Sequence, residues 1–173
     1  MAALALDIVI FAAAFVFMEG VAWFTHKYVM HGFLWVWHRS HHSPRTGMFE
    51  LNDLFAVVFA TPAIVSIYFG VHGYPLLLPL GLGITAYGAV YAMFHDGLVH
   101  RRYWTPLSSK SRFWKRLIQA HRIHHAVTTR HGCVSFGFLI AQPVRKLKAR
   151  LAEIQAARGD EIAPGPLERD PLG

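Results

Sequence analysis

Three apolar runs dominate the first hundred residues of the chain. Leu4 to Phe24 is apolar almost throughout, interrupted by Asp7 near its start and Glu19 near its end. About 20 such residues are what a helix needs to cross a hydrocarbon core. A second run, Leu54 to Phe69, contains Pro62; a third, Leu76 to Phe94, is opened by Pro75 and carries Pro79, Gly81, Gly83 and Gly88. Between them, Gly70-Val71-His72-Gly73-Tyr74-Pro75 has the residues of a tight turn. A fourth apolar stretch, Gly132 to Ala141, is too short to span and is expected in the interface or plugged against the other helices. No basic segment precedes the first run and no small-residue cleavage site follows it, so it is expected to stay as a span rather than leave as a signal peptide. The pattern predicts an all-α integral membrane protein with about three transmembrane helices. Residues 1–150 are expected to form the membrane-embedded domain and residues 151–173 a polar, disordered tail.

Charge gives the expected orientation. Lys27, Arg39 and Arg45 lie between the first two spans, and the other 14 of the 17 Lys and Arg residues follow the third. With three spans, all of them fall on one side, which the positive-inside bias makes the cytoplasm. A two-span arrangement would divide them. The basic residues stand beside apolar runs and are not interleaved with base-stacking motifs. A net charge of +7 therefore speaks for anionic headgroups and against nucleic acid. Composition agrees: 54% of residues are hydrophobic and only 16% charged, against about 25% charged in soluble domains, and mean hydropathy is +0.32. Cys133 is the single cysteine, which excludes a disulfide framework and a thiolate metal site. Metal chemistry, if present, must use nitrogen or oxygen donors.

Twelve histidines supply the nitrogen. Ten fall into four clusters: His26 and His31 in HKYVMH; His38, His41 and His42 in HRSHH; His95 and His100 in HDGLVH; His121, His124 and His125 in HRIHH. The chain thus repeats one unit, HX4H then HX2HH, and all four clusters fall on the same expected side of the membrane. In HX2HH the first histidine shares a helix face with both others, while the adjacent pair point about 100° apart and can serve two different metals. The HX4H pairs are about 140° apart on an ideal α-helix, so they should straddle the site or sit where a helix ends. Imidazole suits Fe, Zn, Cu and Ni. Ten exceed the needs of one ion, and two metals with about five nitrogens each is the natural division. Structural zinc normally takes four ligands with cysteine prominent, which does not fit. A proton relay or metal transporter would place ionisable groups within the spans, where only Asp7 and Glu19 are found, so transport is the runner-up class. His72 and His131 read as interface surface residues.

Nearby carboxylates have two readings each. Asp96, Glu50 and Asp53 either accept a hydrogen bond from the outward ring nitrogen of a histidine, orienting it and raising its basicity, or cap helices, with Asn52 or Asp53 as the cap of the second span. Glu19, about two turns before His26, is deep for a carboxylate and calls for a functional or paired role. The basic run Arg101, Arg102, Lys110, Arg112, Lys115 and Arg116 is a headgroup-contacting surface or a dock for an acidic electron donor. No nucleophile–base set or phosphate loop appears, which leaves hydrolase and transferase chemistry without residues.

The stretches HKYVMHG, WHRSHHSPRTGMFELNDL, HDGLVHRR, AHRIHHA and GCVSFGFL, in this order, resemble the bacterial carotenoid hydroxylases of the membrane fatty acid hydroxylase and sterol desaturase superfamily, over roughly residues 15–145. The histidine clusters alone point to the superfamily; the FELNDL and HDGLVH contexts narrow it. The resemblance implies that the ten clustered histidines hold two Fe ions, which Zn can replace in purified protein. It implies a monooxygenase that uses O2 and electrons from reduced ferredoxin to hydroxylate carbons 3 and 3′ of β-ionone rings, taking β-carotene through β-cryptoxanthin to zeaxanthin. The implied location is the bacterial inner membrane, with the substrate drawn from the bilayer. Other membrane lipid or sterol hydroxylases and desaturases are the alternative, because the histidine pattern by itself suits a fatty acid, an alkane or a sterol equally.

Overall fold

A computed structural model describes residues 1–44, 47–104 and 110–159; Arg45 and the tail beyond residue 159 lie outside the described residues. Every regular element among the described residues is helical. Helix α1 (Ala2–Phe24) runs directly into a π-helical segment, Thr25–Phe33, which ends at a kink where Gly32 leaves helical dihedrals, and a short α2 (Trp35–His38) follows. A 3₁₀ turn, Leu51–Asp53, leads into α3 (Leu54–Val71). Helix α4 (Leu77–Tyr91) again continues as a π-helix, Ala92–Val99. Then come α5 (Arg112–His125) and α6 (Val144–Arg158).

Three continuous helices, Ala2–Phe33, Leu51–Val71 and Leu77–Val99, are long and apolar enough to cross a membrane. They agree with the expected spans, and the chain is a membrane protein. Helix α4 is the middle of the three: it packs on both α1 and α3, which barely touch one another. Its glycines make this possible. A Cβ on Gly81 would lie 2.8 Å from the Ala63 carbonyl oxygen of α3, and one on Gly83 would lie 2.5 Å from the Phe11 carbonyl oxygen of α1. Small residues here let backbones approach, the contact that holds apolar helices together where no hydrophobic force acts between them.

At one end of the bundle sits a small extramembrane layer. Helix α5 is amphipathic and capped by Ser111, whose hydroxyl accepts the Trp114 N–H at 3.2 Å. Its buried face, Leu117, Ala120 and Ile123, shares a core with Val127, Cys133 and Val134 of the following irregular segment and with Leu147 and Leu151 of α6. Burial raises the Cys133 thiol to about 12, so it stays a packed thiol. The tail expected from residue 151 needs correction: residues 151–158 are helical and Leu151 is buried, because α6 needs that turn to cover the core.

The fourth apolar run, Gly132 to Ala141, lies within an irregular strap over residues 127–143 that is tucked against α1. Its irregular backbone is tolerated because Glu19 satisfies it: one carboxylate oxygen accepts the N–H groups of Phe138, Leu139 and Ile140 at 2.9, 2.9 and 3.0 Å. The other oxygen accepts the Tyr87 hydroxyl at 2.7 Å. Glu19 therefore ties α1, α4 and the strap together.

Candidate metal centre

The C-terminal ends of α1 and α4 and the N-terminal end of α3 meet at the extramembrane layer, and the histidines gather there. His26 and His31 stand on the first π-helix, His95 on the second and His100 immediately after it. The i→i+5 hydrogen bonding of a π-helix sets residue i+5 over residue i, as with His100 N–H donating to the His95 carbonyl at 2.9 Å. The ring centroids are 5.3 Å apart for His26 and His31 and 4.6 Å for His95 and His100. The 140° splay expected from α-geometry is thus removed by widening the helix at both HX4H motifs.

The donor nitrogens form two groups. His26, His31, His38, His42 and His124 have one nitrogen each within 4.8 Å of all the others, and so do His41, His100, His121 and His125. The His95 Nε2 joins the second group 3.1 Å from the His41 Nε2. Each group takes four histidines from one repeat and one from the other: His124 crosses to the first and His41 to the second. The adjacent pairs His41–His42 and His124–His125 divide between the groups, as their angular separation allows.

Hydrogen bonds on the outer ring nitrogens fix what the inner ones can do. In the first group, Nδ1 of His26, His31, His42 and His124 lies 3.1, 3.0, 2.8 and 3.1 Å from the carbonyl oxygens of Phe136, Arg130, Val127 and Val134. His38 Nδ1 is 2.7 Å from Asn52 Oδ1. In the second, His41 Nδ1 is 3.0 Å from Glu50 Oε2 and His95 Nδ1 is 2.8 Å from Asp96 Oδ1. These oxygens only accept, so each Nδ1 carries the proton and each Nε2 presents a lone pair. The Nε2 atoms nevertheless approach one another: 3.2 Å for His26–His38, 3.2 Å for His31–His124, 3.1 Å for His42–His124 and 3.1 Å for His41–His95. Lone pair facing lone pair is repulsive unless a cation lies between them. Two nitrogens bound at right angles, each about 2.1 Å from a metal, are about 3.0 Å apart. The residues fit a metal pair.

Burial suits the same purpose. Desolvation first, then the neighbouring imidazoles, holds His41, His121 and His124 well below the ordinary imidazole value. His38 and His125 are lowered for the same reasons. Desolvation takes His42 down to about 4 despite the opposing hydrogen bond to Val127. These rings are neutral at neutral pH, the form that binds a metal.

The carboxylates divide between their two readings. Glu50 and Asp96 each accept from a histidine, but Asp53 touches none. It binds Arg102 through both oxygens at 2.6 and 2.7 Å and accepts the Glu50 N–H at 2.9 Å. Arg102 in turn lies 3.7 Å from Asp96, so Asp53 and Arg102 brace the two carboxylates from behind, and Arg102 leaves the basic surface run. Asn52, read from sequence only as a cap, is the partner of His38. The four strap carbonyls were not foreseen, since a backbone acceptor has no residue signature. Ser135 aims two of them: its φ of 66° turns the strap so that Val134 and Phe136 both face the first group. His72 and His131 belong to neither group; the His72 ring is bound to the Tyr68 carbonyl and stacked on the Tyr68 ring, and His131 follows Arg130, whose carbonyl holds His31.

A cavity of about 400 Å³ opens onto this end from within the bundle, reaching His26 of the first group and His95 and His121 of the second. Away from them it is lined by apolar side chains of α1, α3 and α4, such as Met18, Phe59 and Ile84.

Membrane-spanning helices, two histidine groups suited to cations and an apolar cavity between helices define a membrane metalloprotein. Its family is equally clear: residues 11–142 match the fatty acid hydroxylase family, and the chain belongs to it. It is 54% identical to the β-carotene hydroxylase of Pantoea ananas over 82% of this chain and 81% of that protein. It is 43% identical to the β-carotene hydroxylase of Paracoccus sp. (strain PC1) over 90% and 96%. It is 42% identical to the chloroplastic β-carotene 3-hydroxylase 2 of Arabidopsis thaliana over 62% and 37%. No solved structure matches the chain. The protein is an enzyme of this family.

Proposed function

We propose that this protein is a di-iron monooxygenase that hydroxylates carbons 3 and 3′ of carotenoid β-ionone rings, converting β-carotene through β-cryptoxanthin to zeaxanthin. The observation that carries the metal reading is the set of Nδ1–H donors committed to fixed acceptors, with their Nε2 lone pairs turned onto one another about 3.1 Å apart. Histidines 26, 31, 38, 42 and 124 would hold one iron and histidines 41, 95, 100, 121 and 125 the other. Bound iron supplies the O2 chemistry that no side chain provides.

The chain's own residues do the rest. Strap carbonyls and Asn52 orient the first five rings, and Glu50 and Asp96 orient His41 and His95 while raising their basicity. The apolar cavity keeps water from the reacting carbon and presents the ring to both histidine groups. A carotenoid is a long apolar rod dissolved in lipid, so a site at the helix ends, entered from within the bundle, suits it. The relatives named β-carotene hydroxylase carry the choice of ring over fatty acid or sterol. Reduced ferredoxin is the proposed electron donor, and the exposed basic residues of α5, Arg112, Lys115 and Arg116, suit an acidic protein. The location is the bacterial inner membrane with the histidine end cytoplasmic, because Lys27, Arg39 and the α5 and α6 cations share that end.

The deciding experiment is pigment analysis of a β-carotene-producing bacterium expressing the chain under isotopically labelled O2. Zeaxanthin labelled in both hydroxyl groups is the expected product. Unchanged β-carotene beside newly hydroxylated or desaturated acyl chains, in cells with a working ferredoxin supply, would move the protein to another branch of its family. Metal uptake without any oxygenated product would make it a transporter.

A further inference from the structure

Because α1 and α3 barely meet, the cavity is a groove laid along α4, with α1 and α3 as its walls. Its floor is one face of α4, running Ile84, Gly88, Tyr91 and His95, the three-to-four spacing of a helix face. The glycines of α4 are not alike. Gly81 and Gly83 are bare because a neighbouring backbone presses on them. A Cβ on Gly88 would meet nothing within 4 Å, and its backbone has no left-handed φ to demand glycine. Gly88 is exposed on the groove floor, in the middle of a helix where glycine is disfavoured against alanine. Neither packing nor conformation uses its bareness; only the groove does.

The position adds a length. Gly88 stands seven residues, about 10 Å along the helix, from His95, with Tyr91 between them stacked on the His95 ring, a length comparable to a methylated six-membered ring and the first carbons of its chain. Opposite it the α3 wall carries Ala56 and Ala60 beside Phe55 and Phe59, with Ile64 facing Ile84 further from the histidines. The small side chains at Gly88, Ala56 and Ala60 therefore lie on the histidine side of Ile64 and Ile84, a place for the bulky head of a rod-shaped molecule.

Resting on the carotenoid reading above, we propose that Gly88 is a specificity-determining residue, whose missing side chain makes room for the β-ionone ring end of a carotenoid while the rest of the polyene lies along the groove and out into lipid. The test uses the full chain in phospholipid nanodiscs and reads the circular dichroism that achiral β-carotene acquires when bound. Gly88→Leu should weaken β-carotene binding at least tenfold and raise KM by a similar factor. Helix content, metal content and oligomeric state should stay as in wild type. Gly88→Ala should give an intermediate loss, two- to fivefold, with an unchanged or higher Tm. Gly20→Leu, a lipid-exposed glycine of α1 that is equally open but outside the groove, should change nothing.

Wild-type binding retained by both Gly88 variants overturns the proposal and leaves the carotenoid reading intact. A wild-type protein that binds no β-carotene overturns both. A Gly88→Leu protein that changes oligomeric state assigns the groove to a second copy of the chain and overturns the proposal as well. Should Gly88→Leu lose its metal, Gly88→Ala decides, and binding equal to wild type in that variant is again a refutation.

Discussion

Glu19 is where a single carboxylate supports the centre from a distance. It accepts three consecutive strap N–H groups and the Tyr87 hydroxyl, and it is 8% exposed, so water cannot readily replace it. Glu19→Ala leaves all four donors without that acceptor. At about 1 kcal/mol for each orphaned backbone donor, the low end for buried groups, the 138–140 segment loses about 3 kcal/mol of local stability. That corresponds to roughly 100-fold easier opening, at tenfold per 1.4 kcal/mol. The consequence runs to the histidines, because Phe136 and Val134, just upstream, hold His26 and His124. Hydrogen exchange followed by mass spectrometry should show the amides of residues 138–140 exchanging about two orders of magnitude faster in Glu19→Ala. Metal content should fall, with the loss concentrated in the first group. Glu19→Gln keeps one oxygen for the strap and should lie between. Wild-type protection of 138–140 together with full metal content in Glu19→Ala would refute the anchoring role.

Three further outcomes follow from the same geometry. Alanine at any of the ten clustered histidines should cut activity at least 100-fold and lower metal content, whereas His72→Ala and His131→Ala should keep most of both, as measured by product formation and elemental analysis. Glu50→Gln and Asp96→Asn should weaken metal affinity in the second group by about 10- to 100-fold, read by chelator competition, with far less effect on the first; equal loss from both would contradict the assignment of these carboxylates to His41 and His95. Ser135→Gly should stabilise by up to about 1 kcal/mol by relieving the left-handed backbone, while Ser135→Val, β-branched at a positive φ, should destabilise and loosen metal in the first group, measured by denaturant midpoint and metal retention.

The membrane character, the three spans and the histidine clusters were legible because they rest on local pattern. Some 20 apolar residues in a row have one physical use, and ten histidines in two copies of one spacing have few. The division of His41 from His42 and of His124 from His125 could be foreseen in kind, since neighbours on a helical turn point apart. The HX4H pairs were harder. Their spacing is awkward on an α-helix, and nothing in HKYVMH or HDGLVH announces that the backbone will widen into a π-helix to bring them together. The glycines of α4 look alike in the sequence, but Gly81 and Gly83 tighten its packing, and only the position of the neighbouring helices separates them from Gly88.

By itself, then, the sequence determined which residue types were available and which end of each helix carried them. It could also mark Glu19 as too deep to be idle. Only the tertiary structure decided what they touch. Glu19 meets amides 119 to 121 residues further along the chain, and His42 and His124, 82 residues apart, face one another. Four of the first group's rings are held by backbone carbonyls that every residue possesses. The physical reason is the reach of the signals: helical period and ligand spacing are set within a few residues, whereas the orientation of an imidazole is set by whatever acceptor the folded chain brings to its other nitrogen.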